Sequence, residues 1–369
     1  MASKPKPFRA DHIGSLGRPA ELRQARERFI KHEIGLDDIH GLEDKWIRER
    51  IAMQERVGLQ VITDGEFRRT SFRQIFFDKV AGFSQDRVPS DFEFTLADGR
   101  KRRASPVPRV ADRLSRCAPI AVDEFKFIRA TTNRTPKVTL PAPSLVHWFI
   151  GDAVLRDGPY RTAEELMVDL SAIYREELAE LGKAGCSYVQ IDEVAIPIML
   201  DPQIQDHVRQ RGEDHVALTD LYVKAINDAI RDRPDHMQIY LHMCRGNDGH
   251  GIGAGGYEPI AEQVFGKLNV DGYLLEYDTP RAGDFAVLRH IPRDAIVVLG
   301  LMSTKTTDVE SVEFLQRRID DATQHIDLER LCISPQCGFA SAYFIERLTM
   351  DDEERKLARL VETADRVWL

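Results

Sequence analysis

Short apolar runs alternate along this chain with stretches whose apolar positions recur every three or four residues. The first spacing reads as buried strand, the second as amphipathic helix. Phe8–Ser15 predicts a short strand closed by a Gly-Ser turn. Helices follow over Pro19–Lys31, with proline at the start, and Leu36–Val57, with Asp37 and Asp38 at the favourable end. Leu59–Phe67 reads as a buried strand stopping in Asp64-Gly65-Glu66. From Gly82 to Thr135 the pattern changes to short alternating runs, including Phe92–Leu96 and Ile120–Ile128. A turn at Asp98-Gly99 and the basic cluster Arg100-Lys101-Arg102-Arg103 lie among them. This segment predicts a hairpin-rich insertion in which the basic cluster is a solvated loop.

Strand and helix then alternate. Pro136–Pro143 is a strand candidate; helix Ala163–Ala184 precedes strand Cys186–Ile191, which ends in Asp192-Glu193. Helix Val216–Arg231 leads to Gln238–Cys244, and a Gly-rich loop over Gly246–Gly256 to helix Ile260–Lys267. Strands Val270–Leu275, Ala295–Leu301 and Leu331–Ser334 follow, with helix Val309–Thr323 between the last two and helix Asp351–Val367 closing the chain. About eight strands at the spacing of βα units predict the α/β class. The reading is one domain over residues 1–369, a (β/α)8 TIM barrel with 82–135 inserted after the second strand. A doubly wound open sheet is the weaker reading, because no Gly-x-Gly-x-x-Gly follows the first strand.

Composition narrows the partners. With 43% hydrophobic and 30% charged residues, the 369-residue chain can bury a full core. A net charge of -9 argues against nucleic acid or an anionic membrane surface as partner. No apolar run approaches a membrane span, and the start lacks a signal-peptide core, so a cytoplasmic protein is expected. Five cysteines are too few and scattered for a disulfide framework.

The candidate chemistry lies at strand ends. In His242-Met243-Cys244 the imidazole and the thiol share one face of a strand, a pair that suits Zn²⁺. Glu276 and Cys337 end later strands, so a barrel would bring both to the same point. Cys244 and Cys337 as buried apolar cysteines is the alternative; recurrence of ligand types at strand ends favours the metal. Cys186 and Cys332 read as structural.

Six motifs in order carry a resemblance: Asp11–Ser15, Thr63–Phe67, Gln190–Glu193, His242–Asn247, Leu275–Asp278 and Ser334–Phe339. With these the chain resembles the catalytic half of cobalamin-independent methionine synthase, in its short single-barrel branch. The resemblance implies Zn²⁺ held by His242, Cys244, Glu276 and Cys337. It implies that Gly14, Ser15, Glu66 and Asp192 bind the amino acid part of homocysteine. The expected reaction moves a methyl group from a methyl-folate to the homocysteine thiol, giving methionine. Glu276 is the candidate to leave the metal when the thiol binds. Trp148 reads equally as a platform for a pterin ring and as a core residue. Arg245 reads as facing an anionic substrate or as half of a structural ion pair. Where full-length members carry a proton-relaying histidine, this chain has Lys305, a proton donor or an anion binder. A second reading keeps the zinc thiolate and changes the partners to coenzyme M and an epoxide. A non-catalytic zinc protein is the third, and a homo-oligomer is compatible with all three.

Overall fold

The computed structural model describes residues 7–89, 93–95, 101–103, 106–151, 158–247 and 253–369. Strand β1 (Val61–Ile62) is followed by β2 (Val80–Val88), β3 (Glu93–Thr95), β4 (Lys101–Arg103) and β5 (Val107–Arg116). Then come β6 (Thr135–Pro136), β7 (Val138–Pro141), β8 (Tyr188–Glu193), β9 (Gln238–Met243), β10 (Gly272–Glu276), β11 (Ile296–Met302) and β12 (Leu331–Pro335). Strands β7 to β12 form a parallel sheet in chain order, and β1 pairs in parallel with β6. Helices Ala163–Lys183, His215–Ile230 and Val312–Thr323 are crossovers between neighbouring strands. Thr162, Asp214 and Ser311 start them by accepting hydrogen bonds from first-turn N–H groups.

The parallel strands are buried on both faces, which is why they read as nearly unbroken apolar runs. One face packs on helices. The other contributes to an inner cluster of Ile13, Val61, Tyr188, Tyr240, Leu274, Val298 and Cys332. Cys332 is therefore structural, as expected. Gly272 admits the Tyr240 ring: a Cβ there would lie 1.8 Å from it. At the sheet's far edge Ala10 bridges in parallel to Ile333, with Asp11 N donating to Ile333 O at 2.9 Å. Residues 13–16 meet the end of β1 through Thr63 Oγ1 to Gly14 O, 2.8 Å, and Leu16 N to Gly65 O, 3.1 Å. These are turn contacts, and the described ladders do not close into a ring.

The insertion is a hairpin, as expected: β2 and β5 pair antiparallel, and so do β3 and β4. Phe92, Leu96, Asp98, Gly99 and Arg100 lie outside the described residues. Two readings are corrected. Lys101–Arg103 of the basic cluster is not loop but strand β4, held by its pairing with β3, with Lys101 and Arg103 exposed. Ile120–Ile128 is not alternating strand but runs into helix Val122–Thr131, burying Val122, Phe125 and Ile128 at three-residue spacing. Helix Ile260–Lys267 shrinks to a 3₁₀ turn and Ala261–Val264. Among the described residues no helix is long and apolar enough to cross a membrane.

Candidate metal centre

β9 ends in His242 and Met243, with Cys244 one residue beyond. Register places His242 beside Asp192 on β8 and Leu274 on β10. Cys337 arrives from the turn after β12. Ligand atoms of His242, Cys244 and Cys337 lie within 4.8 Å of one another, and all three residues are buried. The two sulfurs are 3.4 Å apart. Their hydrogen bond lowers the Cys244 pKa and raises that of Cys337. His242 Nδ1 lies 3.2 Å from Leu274 O, which assigns it the N–H and leaves Nε2 as a lone pair. Nε2 is buried with no hydrogen-bond partner. An orphaned imidazole nitrogen beside two thiols is a donor set suited to a borderline-soft ion.

Glu276 departs from the expected ligand set. It ends β10 fully buried but outside the three-residue cluster. Its Oε2 accepts from Arg245 N at 3.2 Å and Nη1 at 3.5 Å. Its Oε1 accepts from Arg281 and from Lys305 Nζ, the latter at 3.1 Å. Burial pushes its pKa up, yet Lys305, Arg281 and Arg245 outweigh that and lower it. Lys305 also bonds Asp278 Oδ2 at 2.9 Å. Burial pulls the Lys305 pKa down, and the two carboxylates more than restore it, raising it. Arg245 is fully buried, paired with Glu276 and stacked 4.2 Å over the Tyr257 ring.

Beside the donors opens a cavity of about 600 Å³, counting space continuous with solvent. Ser15, Glu66 and Asp192 line it together with His242, Cys244 and Cys337. Glu66 is aimed by a tight turn in which Gly65 and Glu66 both have positive φ, 70° and 60°. Its Oε1 accepts from Thr139 Oγ1 at 2.7 Å, and Oε2 has no hydrogen-bond partner. Asp192 Oδ1 accepts from Gln190 Nε2 at 2.7 Å, and burial raises the Asp192 pKa to about 7. Gly14, with φ 124°, abuts Thr139, where a Cβ would lie 2.7 Å from Cγ2.

Trp148 is corrected as a platform: it is fully buried in the outer core, while the next residue, Phe149, lines the cavity. Sequence reasoning missed Phe149 and Phe72 as lining residues. It also left Asn247 without a role, although the His242–Asn247 motif contains it. Asn247 Nδ2 donates to Gly338 O at 2.8 Å and to Thr304 Oγ1 at 3.1 Å, tying the loop after β9 to that after β12.

A parallel α/β sheet with a Cys-Cys-His donor set at its strand ends, beside two carboxylates, defines a candidate metal-binding protein of the α/β class. Residues 8–364 match the model of the cobalamin-independent synthase catalytic domain, and the chain belongs to that family. The family consists of methyltransferases of the methionine synthase type. The uncharacterized protein YxjH of Bacillus subtilis is 34% identical over 98% of this chain and 95% of its own length. The 5-methyltetrahydropteroyltriglutamate–homocysteine methyltransferase of Vibrio harveyi is 25% identical; the match covers 96% of this chain but 42% of that enzyme. A solved structure from Listeria monocytogenes, provisionally assigned as a vitamin-B12 independent methionine synthase, superposes with TM-score 0.75. It is 28% identical, with both chains fully covered.

Proposed function

We propose that this protein transfers a methyl group from a methyl-folate to the thiol of homocysteine, using zinc held by His242, Cys244 and Cys337. The observation that carries this reading is the polarity of the cavity. The metal donors and the carboxylates of Glu66 and Asp192 line it together, and no lysine or arginine is among its described lining residues. Such a cavity suits a thiol bearing an ammonium group. A sulfonate, as on coenzyme M, would meet two carboxylates and no described cation, which disfavours the epoxide reading.

Zinc, when bound, supplies the charge that keeps a substrate thiol deprotonated at neutral pH. Glu66 Oε2 and the free side of Asp192 receive the ammonium, and the Gly14-Ser15 turn faces the substrate carboxylate. Glu276 stands behind the donors as the counter-charge of Arg245, Arg281 and Lys305. Lys305, with its raised pKa, acts as an ion-pair partner there and is a poor acid for the departing folate amine. The proton then comes from water or from a lining group. We further infer that the strands close as a (β/α)8 barrel, which the inner cluster and the Ala10–Ile333 bridge support, and that the enzyme works in the cytoplasm.

The test is methionine formation by zinc-loaded protein from homocysteine and 5-methyltetrahydrofolate, with mono- and triglutamate donors compared. Turnover with either donor is expected. No methionine from a protein that holds one zinc per chain would overturn the reading.

A further inference from the structure

Beneath Asp192 lies a buried polar chain that the reaction as described does not use. Lys137, between β6 and β7, has no exposure, and its ammonium is enclosed by three oxygens. Asp11 Oδ1 is 2.7 Å away, Gln190 Oε1 is 3.0 Å away, and the His12 carbonyl is in contact. Asp11 is held in turn by Tyr188, whose hydroxyl donates to Oδ2 at 2.5 Å, and by His12 N at 2.7 Å. Gln190 sits between Lys137 and the cavity on β8, two residues before Asp192, and is fully buried.

An ammonium only donates. Gln190 Oε1 must therefore face Lys137, and its NH₂ must face the other way. Both of its N–H groups find acceptors there: Ile13 O at 2.7 Å and Asp192 Oδ1 at 2.7 Å. The usual ambiguity between the two ends of an amide is removed by the charge behind it. We propose that Lys137 is a positioning residue for substrate. Through Gln190 it holds Asp192 Oδ1 as a hydrogen-bond acceptor and leaves the other carboxylate oxygen toward the substrate's ammonium. Because Asp192 and His242 are register partners, this also sets the spacing between the ammonium-binding and sulfur-binding positions. The inference rests on the proposed function only in taking the substrate to be an amino thiol.

Without the Lys137 ammonium, the Gln190 amide is free to rotate and turn its oxygen on Asp192, acceptor against acceptor. Lys137 alone cannot be removed cleanly, because Asp11 would be left buried and unpaired. The double variant Asp11→Asn, Lys137→Met removes both charges. Gln190→Met keeps the ion pair and deletes only the amide. Calorimetry on zinc-loaded protein would compare homocysteine with 4-mercaptobutanoate, the same thiol acid without the amine. Both variants are expected to lose about 10- to 100-fold in homocysteine affinity, the worth of a hydrogen bond to a charged group. Zinc stoichiometry and 4-mercaptobutanoate affinity should stay at wild-type values. Equal losses for the two thiols, or an unchanged homocysteine affinity in either variant, would overturn the positioning role alone. Wild-type protein that binds the two thiols equally would overturn the amino-thiol reading itself.

Discussion

Two pairs of buried carboxylates stand near the metal donors, built from the same parts for opposite ends. Glu66 and Asp192 line the cavity, whereas Glu276 and Asp278 lie outside its lining. Around Glu276 and Asp278 the partners are ionic. Arg245, Arg281 and Lys305 meet these carboxylates directly, and Glu276 is held ionised. Around Asp192 and Glu66 the hydrogen bonds come from a neutral amide and a hydroxyl. The nearest guanidinium to Glu66, Arg69, stands 3.6 Å away and is already paired with Glu124. A carboxylate bonded by three cations has its charge largely matched within the protein, whereas one whose hydrogen bonds come from neutral donors keeps more of it for a ligand. Residue type and position at a strand end do not separate the two; the partners do.

Substitutions break this contrast in a graded way. Cys337→Ser has the largest effect, since it removes one of the three metal donors. It should abolish zinc retention on dialysis, read by metal analysis, together with methyl transfer. Glu276→Gln comes next: it leaves Arg245, Arg281 and Lys305 crowded beside Asp278. It should cost on the order of 3 kcal/mol by denaturant unfolding, toward the lower end for a broken buried pair because Arg281 and Lys305 keep some exposure. Asp192→Asn should do the reverse, leaving stability nearly intact while homocysteine affinity falls about 10- to 100-fold. If Glu276→Gln weakens homocysteine binding without destabilising the fold, the two carboxylate pairs have been assigned the wrong way round.

The smallest effect is one of pH. Burial and the adjacent Lys137 ammonium lower the His12 pKa to about 3, from an ordinary 6.5. A histidine depressed in the folded state takes up its proton more readily when unfolded. Its contribution is therefore complete above pH 6.5 and is lost as pH falls toward 3. In the first unit below 6.5 this amounts to about 1 kcal/mol, with a limiting slope of about 1.4 kcal/mol per unit. His12→Gln should flatten the fall in melting temperature between pH 7 and 5 relative to wild type.

How much of this was legible in the sequence depends on range. His242 and Cys244 could be paired from the two-residue period of a strand, and the carboxylates stood out because they end apolar runs. Trp148 and Phe149 could not be separated, because the helix Ser144–Ile150 is short and consecutive helical residues point about 100° apart. The cage around Glu276 depends on Arg281 and Lys305, brought in by turns after β10 and β11. Lys137 read only as part of a strand, since its partner Asp11 lies 126 residues away. Helix Val122–Thr131 was missed for a local reason. Its buried positions fit both periods over so short a run, and burial on the sheet's outer layer decided between them.

One wall of the cavity carries a further consequence. Phe72 and Ser341 both line it, and the segments bearing them are joined by Phe72 N to Ser341 O, 3.0 Å, and Tyr343 N to Thr70 O, 2.9 Å. These bonds connect the two ends of the chain, as does the bridge from Ala10 to Ile333. Closing so long a loop carries a large entropic cost before any contact rewards it, which makes such pairings late events. During synthesis the pocket cannot assemble until the segment near Tyr343 has left the ribosome. Metal capture should therefore report that folding is complete, and an arrested or truncated chain should expose its thiols to oxidation instead of holding an ion.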